Sequence, residues 1–315
     1  MHKTLQGIWL PLITPLRAGR VDLEALRRLA AYYRDAGLDG LLLFGSTGEG
    51  NLLSLSEKVD MISALRADPG GLPLAFGVGG VDTRGVAALM QRLEKYAPAA
   101  WLVAPPYYLC PSQQGMLWHY RELAWTTRHP IIAYNVPKRT GSALTVATLE
   151  RLRAELPGVI GVKECDPVAL AALRGRGSMP AICGEDMALL EHWTAGGQAA
   201  IPASAHLFPA LHVSMRRQAL QGDSQAASAS FAMLRHLIRL LFAEPNPAPL
   251  KKALALQGWI EDELRPPMMP ASEALAERLR RALRGPGLTC SGSFAGRSPS
   301  TTPARRPAAD GRSHR

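Results

Sequence analysis

The chain has 315 residues, 47% of them hydrophobic and 20% charged, with a formal net charge of +10. That size and apolar content suit one large α/β domain or two small ones, and no apolar run reaches the length of a membrane span or forms the apolar core of a secretory signal. The four cysteines, Cys110, Cys165, Cys183 and Cys290, form no C-x-x-C pair. Neither a zinc site nor a disulfide framework is therefore indicated, and a reducing cytoplasm is the expected compartment.

Apolar, strand-like runs recur with helical patterns between them. Residues 7–14 form the first run, followed by a helix over 21–36. The second run covers 40–45, with a helix over 54–67. The third covers 72–79, with a helix over 83–96. The fourth covers 99–105, with a helix over 113–127. The fifth opens at Pro130 and the sixth spans 159–165, with helices over 145–156 and 168–173. The seventh covers 180–184, with a helix over 187–194. The eighth covers 199–203, with a helix over 208–220. Eight strand–helix units with no antiparallel hairpin signal predict an α/β fold, a (β/α)8 TIM barrel. An open doubly wound sheet would ask for a Gly-rich phosphate turn after the first strand, and Ile13-Thr14-Pro15-Leu16 is not one. Three more helical patterns follow, over 227–242, 249–259 and 272–283. The expected division is a catalytic barrel over 1–222, a C-terminal helical domain over 223–283 and a basic tail over 284–315. The tail carries six Arg and one Asp among Gly, Pro, Ser and Thr, so it is expected to be disordered. It lacks a basic helix and interleaved aromatics, which points to a solvated extension and to no nucleic-acid partner.

In such barrels chemistry sits at the C-terminal ends of strands and in the loops after them. Lys163 ends the sixth apolar run. An amine there is costly unless it is paired, neutral or reactive, and apolar walls would lower its pKa. A neutral amine can attack a ketone and form an imine. Pairing with Glu164 is the plain alternative, but side chains alternate along a strand, so Glu164 points the other way. Tyr134 ends the neighbouring run at matching depth. It is either a proton shuttle or a structural tyrosine capping the barrel. Gly45-Ser46-Thr47-Gly48-Glu49-Gly50 offers N–H groups and two hydroxyls to a small carboxylate, or is a glycine-rich turn before a capped helix. Arg139 in the next loop can hold a carboxylate bidentately or simply be solvated. Tyr107-Tyr108 reads as a lid or a subunit contact. The eight histidines are scattered, and no metal constellation stands out; Glu185-Asp186 reads as a helix cap rather than a magnesium site.

Four segments carry a resemblance: 7–15 (Gly-Ile-Trp-Leu-Pro-Leu-Ile-Thr-Pro), Gly45-Ser46-Thr47-Gly48-Glu49, Tyr134-Asn135-Val136-Pro137 and Gly161-Val162-Lys163-Glu164. Together they make residues 7–283 similar to the dihydrodipicolinate synthase/N-acetylneuraminate lyase family of class I aldolases. The resemblance implies a (β/α)8 barrel with a C-terminal helical domain, usually a tetramer built as a dimer of dimers. It implies that Lys163 forms a Schiff base with pyruvate and that Tyr134 relays protons. Thr47 would link Tyr134 to Tyr108 reaching in from a partner subunit, with Tyr107 as its stacking neighbour at the interface. Ser46, Thr47, Arg139 and Ile201 would bind substrate, and no metal or organic cofactor would be needed. Arg139 and Asn246-Pro247-Ala248-Pro249 resemble the synthase branch, which condenses pyruvate with aspartate 4-semialdehyde in the lysine pathway. The alternatives are an aldolase or lyase acting on another 2-keto acid, and a keto-acid-binding paralogue without turnover. The chain departs from the family pattern at Leu109-Cys110, at Cys165-Asp166-Pro167, and near the eighth strand at Ala199 and Pro202.

Overall fold

The computed structural model describes residues 5–176 and 179–284. Its strands are β1 (Gly7–Pro11), β2 (Gly40–Leu43), β3 (Leu74–Val78), β4 (Trp101–Val103), β5 (Ile131–Asn135), β6 (Val159–Glu164), β7 (Ala181–Cys183) and β8 (Ala199–Ala200). The helices that follow them in turn are α1 (Leu23–Asp35), α2 (Leu55–Arg66), α3 (Thr83–Glu94), α4 (Gln113–Ala124), α5 (Val146–Glu155), α6 (Pro167–Arg176), α7 (Leu189–Thr194) and α8 (Pro209–Leu220). Each strand pairs in parallel with the next, and β8 closes onto β1 through Gly7↔Ala199 and Ile8↔Ala200. The chain is thus a closed (β/α)8 barrel, as its alternating pattern predicted.

Burial explains the pattern. Helices cover the outside of the barrel and side chains fill its inside, so the strands are buried on both faces and read as unbroken apolar runs. Trp9, Leu42, Ala75, Leu102, Ile132 and Ile182 belong to the interior cluster. The helices start where the sequence supplies caps. Asp22, Ser54, Asp82, Ser112 and Thr145 each accept a hydrogen bond from an N–H of the first turn, and Ser54 completes a reciprocal box with Glu57. Such a cap contributes about 1 kcal/mol.

Two expectations need correction. An antiparallel ribbon is present, pairing Leu16–Arg17 with Arg20–Val21 outside the barrel. Its turn residues Ala18 and Gly19 both have positive φ, the geometry of a tight hairpin, but Ala-Gly is a weak signal for one. The strands are also shorter than the apolar runs. The eighth is two residues long, because Pro202 ends the ladder and a turn at Ser204–His206 follows.

After α8 come α9 (Ser224–Leu241), α10 (Ala248–Leu256) and α11 (Glu273–Leu283). α9 packs along α8, and α10 packs against α11. This C-terminal part is tied to the barrel by a buried ion pair between Lys251 of α10 and Glu49, at 0% and 4% exposure. Lys251 also donates to the Glu263 carbonyl at 2.8 Å, and the Arg265 N–H donates to Glu49 at 2.8 Å. Glu49, one of the polar residues at the mouth, is thereby committed to structure. Apart from Arg284, which caps α11, the expected tail lies outside the described residues. Among those residues no helix is long and apolar enough to cross a membrane, and Cys110, Cys165 and Cys183 are free thiols.

Candidate active site

The site is built from β5 and β6, which pair Tyr134↔Lys163 and Asn135↔Glu164. The register slips between Ile131 and Ile132, so that Ile131 faces Val159 while Ile132 faces Gly161. The slip inserts one extra residue in β6, and Ile160 and Lys163 both turn inward despite being three residues apart. Alternation then sends Glu164 outward, where its carboxylate accepts from Asn135 Nδ2 at 2.7 Å and from the Asp166 N–H at 2.9 Å. Glu164 therefore does not pair with Lys163. Lys163 Nζ lies 4.7 Å from the centre of the Tyr134 ring. Gly184 makes room for it, since a Cβ there would sit 2.9 Å from Lys163 Cε and 2.7 Å from Cys165 Sγ.

Lys163, Tyr134, Ser46, Thr47, Arg139 and Ile201 line one cavity of about 790 Å³ at the mouth of the barrel. Ser46 and Thr47 open a single helical turn, Ser46–Gly48, after β2. Their N–H groups stand at its start, where no carbonyl within the turn can receive them. The turn is fixed from below by Thr14 Oγ1 donating to the Gly48 carbonyl at 2.7 Å. Gly50 is required there, because a Cβ would overlap the Phe44 carbonyl oxygen at 1.9 Å. The Ser46 hydroxyl lies close enough to the Tyr134 phenol to oppose the rise that burial gives its pKa.

Arg139 sits on a single turn, Pro137–Thr140, opened by Pro137 and closed by Gly141 in the left-handed region. Asn135 pins this loop by exchanging two hydrogen bonds with the Leu144 backbone, at 2.9 and 3.1 Å. The Arg139 side chain is exposed at the mouth, and among the described residues no hydrogen bond or ion pair holds it. A second cavity of about 320 Å³ adjoins the first and shares Ser46, Tyr134 and Arg139 with it. Tyr107 lines this one, its hydroxyl accepting from Asn51 Nδ2 at 3.2 Å. Tyr108 lines neither. It has φ +73° and is 85% exposed, beside the exposed Leu109.

The electrostatics differ from the expectation of a depressed lysine. Burial does pull Lys163 down, but Tyr134, Cys165 and Asp186 in their anionic forms push it up and prevail, so its pKa is raised. Tyr134 is itself raised by burial, and burial pushes the Cys165 thiol up to about 11. Both are therefore neutral at physiological pH, and Asp186 is the third group whose charge acts on the amine. Asp186 accepts from the Ser204 N–H at 2.6 Å and the Ala203 N–H at 3.3 Å, which favours its carboxylate although burial raises its pKa.

Glu185 caps the turn before α7, as expected, whereas Asp186 serves the eighth strand's loop instead. Pro202 is accommodated between anchored neighbours, because Ile201 donates its N–H to the Cys183 carbonyl and Ala203 is held by Asp186. Two side chains at the departures have work that the sequence did not reveal. The Cys110 thiol donates to the Gly141 carbonyl at 3.4 Å, joining the tyrosine loop to the Arg139 loop. Cys165 lines the cavity and donates to the Gly184 carbonyl at 3.4 Å. Asn246 also lines the cavity, 7% exposed, with Nδ2 donating to Thr47 Oγ1 at 3.0 Å. Its Asn-Pro-Ala-Pro setting pointed to a family branch but to no role.

The dihydrodipicolinate synthetase family model matches residues 4–285. The chain is 34% identical over 292 residues to the 4-hydroxy-tetrahydrodipicolinate synthase of Thermotoga petrophila, covering 90% of this chain and 99% of that one. It is 35% identical over 287 residues to the enzyme of the same name from Anaeromyxobacter sp. (strain K), covering 89% and 97%. Among solved structures, the dihydrodipicolinate synthase of Acinetobacter baumannii in complex with pyruvate superposes with a TM-score of 0.85 at 32% identity, covering 91% of this chain and 100% of that one.

Proposed function

The chain belongs to the dihydrodipicolinate synthetase family, and from that premise we propose that it is a 4-hydroxy-tetrahydrodipicolinate synthase. Pyruvate and aspartate 4-semialdehyde are its substrates in this reading. The observation that carries it is the in-register pair of Tyr134 and Lys163, facing one cavity with Ser46, Thr47 and Arg139. The Lys163 amine attacks the pyruvate ketone and water leaves, giving an imine. The protonated imine draws electrons from the methyl carbon, which loses a proton and becomes an enamine. The enamine carbon attacks the aldehyde of the acceptor. The acceptor's own amino group then attacks the imine carbon, closing the ring as a cyclic imine and displacing the lysine amine for another cycle. Tyr134 hands protons to and from the intermediates, Thr47 passes them on, and Ser46 with Thr47 holds the pyruvate carboxylate beside Ile201. The imine is its own electron sink, so the cycle calls for no metal or organic cofactor.

Self-association belongs to the same reading. The exposed Tyr108 and Leu109 supply apolar surface for a second subunit, across which Tyr108 would complete the relay. A tetramer built as a dimer of dimers, and a cytoplasmic location, follow from the family. The division into a catalytic barrel over 1–222 and a helical domain over 223–283 is part of the proposal too, supported by the way α9 to α11 pack on one another.

The test is trapping with borohydride in the presence of pyruvate, followed by a panel of aldehyde acceptors. An adduct on Lys163 and a preference for aspartate 4-semialdehyde are expected. No adduct would sink the imine; an adduct with a different preferred aldehyde would move the chain to another aldolase activity. Arg139→Ala should raise the KM for the acceptor roughly 10- to 100-fold, the worth of a charge-assisted hydrogen bond, while the KM for pyruvate stays put. The raised Lys163 pKa gives a further expectation. Only the deprotonated amine attacks, so the initial rate of imine formation should climb as pH rises from neutral into the alkaline range. A rate that is flat over that range would show that the amine is already neutral.

A further inference from the structure

Asn246 has no part in the chemistry described above, yet it touches it. Its Nδ2 donates to Thr47 Oγ1 at 3.0 Å, bridging 199 positions of sequence from the C-terminal helices to the loop after β2. A threonine hydroxyl has one hydrogen and two lone pairs. Asn246 fills one lone pair. Thr47 is left with one proton to give and one lone pair with which to receive. Those are the needs of a relay junction, which takes a proton on one side and releases one on the other. The bond is not what anchors the loop. Thr14 holds the Gly48 carbonyl, while Lys251 and the Arg265 N–H hold Glu49.

We propose that Asn246 is a positioning residue of the reaction: by donating to Thr47 it keeps that hydroxyl as a one-donor, one-acceptor link between Tyr134 and a tyrosine from a second subunit. The inference rests on the imine reading given above. It accounts for a buried amide at this place, where an alkyl group would pack as well but leave the hydroxyl free to rotate.

The experiment follows exchange of pyruvate methyl protons with deuterated solvent by NMR, in the full-length protein. Exchange needs the imine and the enamine but no aldehyde, so an incorrectly assigned acceptor does not affect it. Borohydride trapping of wild type with pyruvate comes first; failure there overturns the imine reading rather than the role of Asn246. Asn246→Asp keeps size and place but reverses the bond, since a carboxylate accepts from Thr47 and cannot donate. It should slow exchange roughly tenfold or more at neutral pH with the KM for pyruvate almost unchanged. Its rate relative to wild type should recover as pH falls, because the introduced carboxyl group can donate to Thr47 once it carries a hydrogen. Asn246→Ala should be slow at every pH. Wild-type exchange in Asn246→Asp, or a loss independent of pH and equal in both variants, overturns the proposal. Should Asn246→Asp fail to fold, Asn246→Ala is compared in a Thr47→Val background. There it should cost almost nothing further, and an undiminished additive loss would overturn the proposal as well.

Discussion

Lys163→Met is expected to stop turnover while leaving the fold at least as stable as before. Turnover should fall by roughly 10⁴- to 10⁶-fold, the scale on which a covalent nucleophile is missed. Borohydride trapping should vanish with it. Stability should hold because Lys163 is 6% exposed and has no ion-pair partner among the described residues, so replacing it breaks no salt bridge and strands no counter-charge. A methionine of similar length fills the same space beside Ile160 and Ile182, in the cluster that fills the barrel. Lys163→Arg should be as inactive, since a guanidinium does not give up its proton to become a nucleophile. A urea melt alongside the assay checks both halves. An inactive variant that is also much less stable would mean that the lysine holds the barrel together rather than serving chemistry.

The second large effect concerns stability. Glu49→Ala leaves the Lys251 ammonium buried at 0% exposure with, among the described residues, the Glu263 carbonyl as its remaining hydrogen-bond partner. Lys251→Met leaves the Glu49 carboxylate with the Arg265 N–H. Each single change should cost about 3–5 kcal/mol, because the surviving charge stays desolvated without its counter-charge. The double change Glu49→Leu/Lys251→Met should cost far less than the sum, since no stranded charge remains. The burial of Lys251 already pulls its pKa down, with Glu49 opposing, which is the direction this argument needs. Urea midpoints of the four proteins form the cycle. Additive losses would mean that the two residues act separately.

How much of this was readable in advance follows from the range of the forces involved. The barrel was legible because each strand is a run of residues buried on both faces and each helix begins at a local cap such as Ser54 with Glu57. The inward pairing of Tyr134 with Lys163 was legible from depth in the runs, but not from strict alternation, which the slip at Ile160 interrupts. That slip depends on how β6 meets β5, and nothing in β6 alone announces it. The upward shift of Lys163 was hidden for a similar reason: desolvation can be guessed from apolar neighbours in sequence, whereas Tyr134 arrives from β5 and Asp186 from the loop after β7. Asn246 and Lys251 reach the loop after β2 from about 200 positions away, and no local pattern encodes that distance. Cys110, a departure from the family pattern, is a weld between two loops.

The ties among Glu49, Lys251, Arg265 and Asn246 have a consequence for modularity. The C-terminal helices do not merely follow the barrel; they furnish one wall of its cavity through Phe242, Glu244 and Asn246. A chain cut after α8 would lose the counter-charge of Glu49 and the donor to Thr47 in one step, so it would not be a smaller version of the same catalyst. Selection on those helices can thus reshape the far side of the cavity while the eight strands that carry Lys163 and Tyr134 stay untouched.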